Sequence, residues 1–137
     1  ADFSRAIELN PEYAAAYYNR GDLYLDLGMI ELAFNDFERT IQFNPEYGPA
    51  YVRRGNIYTD LGDFDRAFAD FDRAIEIDPE NGFAYINRGI AGLIQFTETG
   101  WLDRETVQAD FETAIALGLP VSDDLRDILN TFGIDLP

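Results

Sequence analysis

Residues 44–77 read NPEYGPAYVRRGNIYTDLGDFDRAFADFDRAIEI. Apolar residues recur here at helical spacing, first at Tyr51, Ile57 and Tyr58, then at Phe64, Ala67, Phe68 and Phe71. The stretch predicts two helices, from about Pro45 to Asp60 and from about Phe64 to Ile77. Gly62 stands between them, where a left-handed helix cap is needed. Asp63 follows as a cap for the second helix. A proline disfavours helical geometry in the residue before it, so the second helix should end at Ile77, ahead of Asp78 and Pro79.

The same unit recurs along the chain. The helix-ending tetrads AIEL, TIQF, AIEI and AIAL close at Leu9, Phe43, Ile77 and Leu117, at intervals of 34, 34 and 40 residues. A fixed period of this size marks stacked helical units, each covering the next. The chain divides into the second helix of a truncated repeat (1–9), two regular repeats (10–43 and 44–77), a third with a six-residue insertion (78–117), and a C-terminal capping helix and tail (118–137). In that last segment Ser122 or Asp123 caps a short helix. Leu125, Ile128 and Leu129 share one of its faces, and Gly133 ends it. The fold class is all-α.

The residues within the unit carry a family resemblance. Tyr51, Gly55, Tyr58, Ala67, Phe71, Ala74 and Pro79, at their spacings in a helix–turn–helix unit, resemble the tetratricopeptide repeat. Tyr17, Gly21, Tyr24, Ala33, Phe37 and Pro45 match in the preceding unit, with Thr40 in place of the usual alanine. The resemblance implies a right-handed superhelix whose first helices line a concave groove for peptides. On it, the groove positions of the first repeat include Ala15, Tyr18, Asn19, Asp22, Leu25 and Asp26. The second supplies Pro49, Val52, Arg53, Asn56, Thr59 and Asp60, and the third Phe83, Ile86, Asn87, Ile90, Leu93 and Ile94. Such a groove has an aspartate-rich wall at one end, Arg53 and Asn56 centrally and an apolar strip at the other end, which the C-terminal helix could partly cover.

Two recurring features concern the fold. Gly21, Gly55 and Gly89 lie inside helices, where glycine costs about 1 kcal/mol against alanine. That cost fits a close approach by the second helix, with Ala33 and Ala67 as the expected counterparts. Arg20, Arg54 and Arg88 recur at one position, and Asp36, Asp70 and Asp110 at another. A planar guanidinium meets a carboxylate in two parallel hydrogen bonds, so an Arg–Asp bridge is expected within each unit.

The third repeat departs from the pattern. Gly92 stands where its neighbours carry Tyr24 and Tyr58, and Phe96 stands at the capping position of Gly28 and Gly62. The first helix should therefore run on to about Thr97, until Gly100 stops it, and Asp103 should cap the next, with Val107, Phe111 and Ile115 inward. Trp101 is expected to pack locally, towards the gap at Gly92. The alternative is an exposed anchor for a partner.

Composition excludes much chemistry. The chain has no cysteine and no histidine, and all ten basic residues are arginine. Thiolate sites, a neutral-pH imidazole base and a Schiff-base lysine are ruled out. Asp60 to Asp65 (DLGDFD) lacks the spacing of a calcium loop and reads as a turn with a cap. No catalytic residue, metal or cofactor is expected. A net charge of −16 repels phosphate backbones, so nucleic acid is a poor partner, and no apolar run suggests membrane insertion. A protein or peptide with basic and apolar side chains is favoured. Family members that clamp acidic C-terminal carboxylates do so with Lys, Arg and Asn. Asn56 and Asn87 match two such positions, but Val52 stands at a lysine position, which argues against a clamp. Phe3, Ile7 and Leu9 would leave an exposed N-terminal edge through which copies could associate, so a self-assembly module is one alternative function and a regulatory region of a larger protein another. Beginning at Ala1 inside a repeat, the chain reads as an excised piece. The compartment is open, with the cytoplasm the default expectation, since any signal peptide would precede it.

Overall fold

The computed structural model describes residues 2–137; Ala1, the first residue of the expected 1–9 helix, lies outside them. The described residues form helices only: α1 (Asp2–Leu9), α2 (Ala14–Asp26), α3 (Ile30–Phe43), α4 (Gly48–Asp60), α5 (Phe64–Ile77), α6 (Gly82–Thr99), α7 (Arg104–Ala116) and α8 (Asp123–Thr131). Helices α2 and α3, α4 and α5, and α6 and α7 form pairs; α3 then packs on α4, and α5 on α6. None of these helices is long and apolar enough to cross a membrane.

One turn is built three times. Asn10, Asn44 and Asp78 each accept, through Oδ1, the backbone N–H two residues on, at 3.2, 3.1 and 3.0 Å. This local bond fixes the proline turn after each second helix. The hydroxyls of Tyr17, Tyr51 and Tyr85 reach back to the carbonyls of Pro11, Pro45 and Pro79 at 2.9, 2.9 and 3.0 Å. The turn thus takes up the residues first assigned to the helix start, and α4 begins at Gly48 rather than Pro45. The ends expected at Leu9, Phe43 and Ile77 are the last residues of α1, α3 and α5.

Each expected Arg–Asp bridge is present and two-pronged. Arg20 meets Asp36 at 2.7 and 2.7 Å, Arg54 meets Asp70 at 2.8 and 2.8 Å, and Arg88 meets Asp110 at 3.0 and 2.6 Å. The three aspartates are buried. Hydrogen bonds to them raise all three guanidinium pKa values above the ordinary arginine value, so the charges persist. The remaining nitrogen of each arginine turns to the second helix of the unit before: Arg20 to Ser4 at 3.4 Å, Arg54 to Glu38 at 3.8 Å, Arg88 to Asp72 at 2.6 Å. One side chain therefore ties three helices.

The helical glycines answer to a different neighbour from the one expected. A Cβ at Gly21, Gly55 or Gly89 would lie 2.7, 2.8 or 2.9 Å from a ring carbon of Phe37, Phe71 or Phe111. The counterpart is the phenylalanine at the core of each pair, not Ala33 or Ala67, although both alanines are fully buried. A flat ring, rather than backbone, occupies the space that a side chain would need.

The C-terminal segment packs on the α6–α7 pair. Val121, Leu129 and Ile134 join Leu93, Val107 and Phe111 in one buried cluster, with Leu125 and Phe132 against it. Ser122 caps α8 by accepting from the Leu125 N–H. Ile128, expected on the inward face, is exposed instead.

The ring contact sets the stability expected of Gly55→Leu. Helix propensity would gain from the change, but the side chain would drive into Phe71. Overpacking of this kind costs about 1–3 kcal/mol. A thermal melt should therefore fall by several degrees; an unchanged melting temperature would refute the contact.

Candidate functional site

The first helices α2, α4 and α6 line one side of the array, and their side chains converge on a cleft of about 260 Å³. Tyr18 of α2, Pro49, Val52 and Arg53 of α4, and Phe83 and Asn87 of α6 form its walls, with Asn81 at the turn before α6. Six of the residues predicted for the groove thus share one cavity: Tyr18, Pro49, Val52, Arg53, Phe83 and Asn87.

Their roles differ. Phe83 presents a large free surface, at 62% exposure. Tyr18 is half-buried, its ring centroid 5.1 Å from that of Tyr47 and 5.8 Å from that of Phe37. Burial pushes its hydroxyl pKa up, while Arg53 pulls the other way. Tyr18 is therefore a neutral hydroxyl at the cleft wall. Val52 is only 5% exposed and supplies floor rather than contact surface.

Arg53 is not the lone cation its sequence position suggests. Its Nε donates to Asp22 Oδ1 at 2.8 Å, and Nη2 lies 3.5 Å from Oδ2. The pair links α2 to α4 and neutralises the centre of the groove. Asn19 and Asn56 flank it, exposed and half-buried, without joining the cleft. Asp26 and Asp60 are exposed and close α2 and α4. A carboxylate at the negative end of a helix dipole is disfavoured, so both would gain from a nearby cation.

The apolar strip is largely occupied by the protein itself. Ile86 and Ile90 pack against the C-terminal cluster, and Leu93 is buried within it. Thr59 is also buried and bonds to the carbonyl of Gly55 at 2.9 Å. The C-terminal helix, expected to cover part of the strip, does share the cluster around Leu93, through Leu129 of α8 and Ile134 of the tail. At the other end of the array Leu9 is exposed, while Phe3 and Ile7 are half-buried, so the N-terminal edge is less open than expected.

Tyr47 and Asn81 were missed. They occupy equivalent positions, 34 residues apart, and Tyr13 precedes them by the same interval. That register was the available signal.

The family model for the tetratricopeptide repeat matches residues 14–47 and 48–81. The chain is a tetratricopeptide repeat protein. Such repeats serve as protein–protein interaction scaffolds. Solved tetratricopeptide repeat structures share the fold. The first repeat domain of Spaghetti (RPAP3), bound to the HSP90 peptide SRMEEVD, is 20% identical with a TM-score of 0.73, over 88% of this chain and 90% of that one. The Arabidopsis OM64 repeat domain is 23% identical with a TM-score of 0.72, over 88% and 93%. MamA is 25% identical with a TM-score of 0.69; the match takes in 84% of this chain but 64% of MamA. No curated protein sequence matches significantly.

The two kinds of arginine pair in this tetratricopeptide repeat array should separate in double-mutant cycles. Arg53 and Asp22 keep side-chain exposures of 41% and 33%, so their coupling should stay below about 1 kcal/mol and fall with salt. Arg54 and Asp70, at 19% and 7%, should couple by about 2 kcal/mol or more. Equal couplings would show that Arg53 is fixed by the fold and unavailable to a partner.

Proposed function

We propose that the chain is a non-catalytic interaction scaffold that holds a partner polypeptide segment, rich in basic and apolar side chains, along the groove of its first helices. In this reading 10–43, 44–77 and 78–117 are the binding units, and 118–137 caps the last of them. The observation that carries it is the cleft itself. Phe83 stands exposed in the cleft that Tyr18 also lines, with the amides of Asn81 and Asn87 in the same walls. An aromatic surface flanked by amides suits an extended segment: the rings take apolar side chains, and the amides pair with peptide groups without reading sequence closely.

Charge decides which segments are favoured. Asp26 and Asp60 are exposed along the same helices, and the one arginine in the cleft is already paired with Asp22. An acidic tail would meet these carboxylates with no free lysine to offset them. A segment carrying arginine or lysine would relieve them and gain in association rate.

Selection from a random displayed peptide library tests this. Recovered peptides should pair basic with apolar residues. Phe83→Ala should weaken a selected peptide about tenfold or more, the size expected at an interface hot spot. Acidic consensus peptides, or affinity indifferent to both Phe83→Ala and Tyr18→Ala, would overturn the proposal.

A further inference from the structure

A second cleft, of about 420 Å³, opens on the other side of α6, between α5 and α7. Its origin can be read from the repeat. At the junction of the first two units the corresponding space is filled. There the Tyr58 ring meets Phe34 edge-on, with centroids 5.5 Å apart. Above that ring lies the Arg66 guanidinium, 5.8 Å from the centroid, and Arg66 also pairs with Asp63 at 3.5 Å. The Tyr58 ring fills the space, and the Arg66 side chain, 69% exposed, lies over its outer face next to a carboxylate.

One unit later the arginine and the ring are both gone. Gly92 replaces Tyr58, and Thr106 replaces Arg66. Val107, standing where the earlier unit has Ala67, fills only the space next to Gly92: a Cβ there would lie 2.8 Å from Val107 Cγ2. The rest stays open. Phe68 remains on one wall as the counterpart of Phe34, and the insertion adds Trp101. Trp101 is 60% exposed, so the expectation that it packs into the gap at Gly92 is wrong. The insertion holds it at the cleft mouth, and the Val107 methyl takes the place next to the glycine.

The carboxylates, by contrast, are kept. Asp65, Asp72, Asp103 and Asp110 line the cleft, against the single cation Arg88. Asp72 and Asp110 are both committed to Arg88. Asp65 is exposed, and Asp103 caps α7 by accepting from the Thr106 N–H and hydroxyl. The four do not group as a metal-binding cluster.

We propose that this cleft, vacated by the missing tyrosine, binds an arginine side chain of a partner polypeptide, with the guanidinium set against a ring and an aspartate as Arg66 is in the unit before. Phe68 and Trp101 provide the faces for a planar guanidinium, and Asp65 and Asp103 the countercharge. Arginine suits the site better than lysine because it stacks and bonds in the same plane. The site uses the opposite side of α6 from Phe83 and Asn87, so it is independent of the groove.

Trp101 is the chain's only tryptophan, which makes its emission a direct reporter. Titration with N-acetyl-arginine amide should change that emission saturably, and high salt should weaken the effect. The neutral N-acetyl-citrulline amide should produce no saturable change. Asp65→Asn, an exposed substitution with little bearing on folding, should raise the half-saturating concentration about threefold or more. Restoring the earlier unit's residues with Gly92→Tyr, Thr106→Arg and Val107→Ala should abolish the response. Phe83→Ala should leave it unchanged, which separates this site from the groove. An equal response to citrulline, no saturable response to arginine, or indifference to Asp65→Asn would overturn the proposal. So would an emission change driven by protein concentration alone, which would assign the cleft to a second copy.

Discussion

A guanidinium shared among three helices is the constraint on which the array depends. Arg54 grips Asp70 on its partner helix with two hydrogen bonds and reaches Glu38 on the unit before. Its flat face lies 5.7 and 5.8 Å from the Tyr51 and Tyr58 ring centroids. A buried carboxylate such as Asp70 would be costly alone, so the helix pair is held at the spacing where the fork fits. The Gly55–Phe71 contact sets that spacing from the other side. Arg20 and Arg88 repeat the arrangement, which is why a period in sequence becomes a period in space.

The arrangement also partitions the surface. The structural arginines turn towards the second helices, so the groove side of α2, α4 and α6 is left to Tyr18, Asn19, Asp22, Arg53, Phe83 and Asn87. The third unit keeps the arginine clasp but drops the tyrosine that should lie over it. Arg88 has Tyr85 at 5.8 Å, and Gly92 supplies no second ring. Arg88 keeps both its clasp on Asp110 and its bond to Asp72, at 2.6 Å, and the loss opens a cleft where the other junction is filled.

Much of the fold was legible because its determinants are local or exactly periodic. Asn-Pro turns, the cap at Gly62 and the run of α6 on to Gly100 follow from residues within a few positions of each other. The Arg–Asp bridges were readable because three copies carried the same two positions. The site was less legible. Helical spacing gives a face but not how much of it is covered, so Ile86, Ile90 and Leu93 read as groove although they belong to the cluster that the C-terminal segment completes. The pairing of Arg53 was not read because its partner, Asp22, lies in the previous unit. The contact of Gly55 with Phe71 rather than Ala67 depends on ring orientation, which no pattern states. Trp101 sits in an insertion without a counterpart, so the repeat offered no standard for placing it.

The central claim is that the first-helix side of the array receives a polypeptide. Backbone amide chemical shifts, mapped while a library-selected basic and apolar peptide is titrated in, test it most directly. Perturbations should centre on Tyr18, Arg53, Asn81, Phe83 and Asn87, with α3 and α5 largely silent. Perturbations confined to the second helices, or to α1, would contradict it.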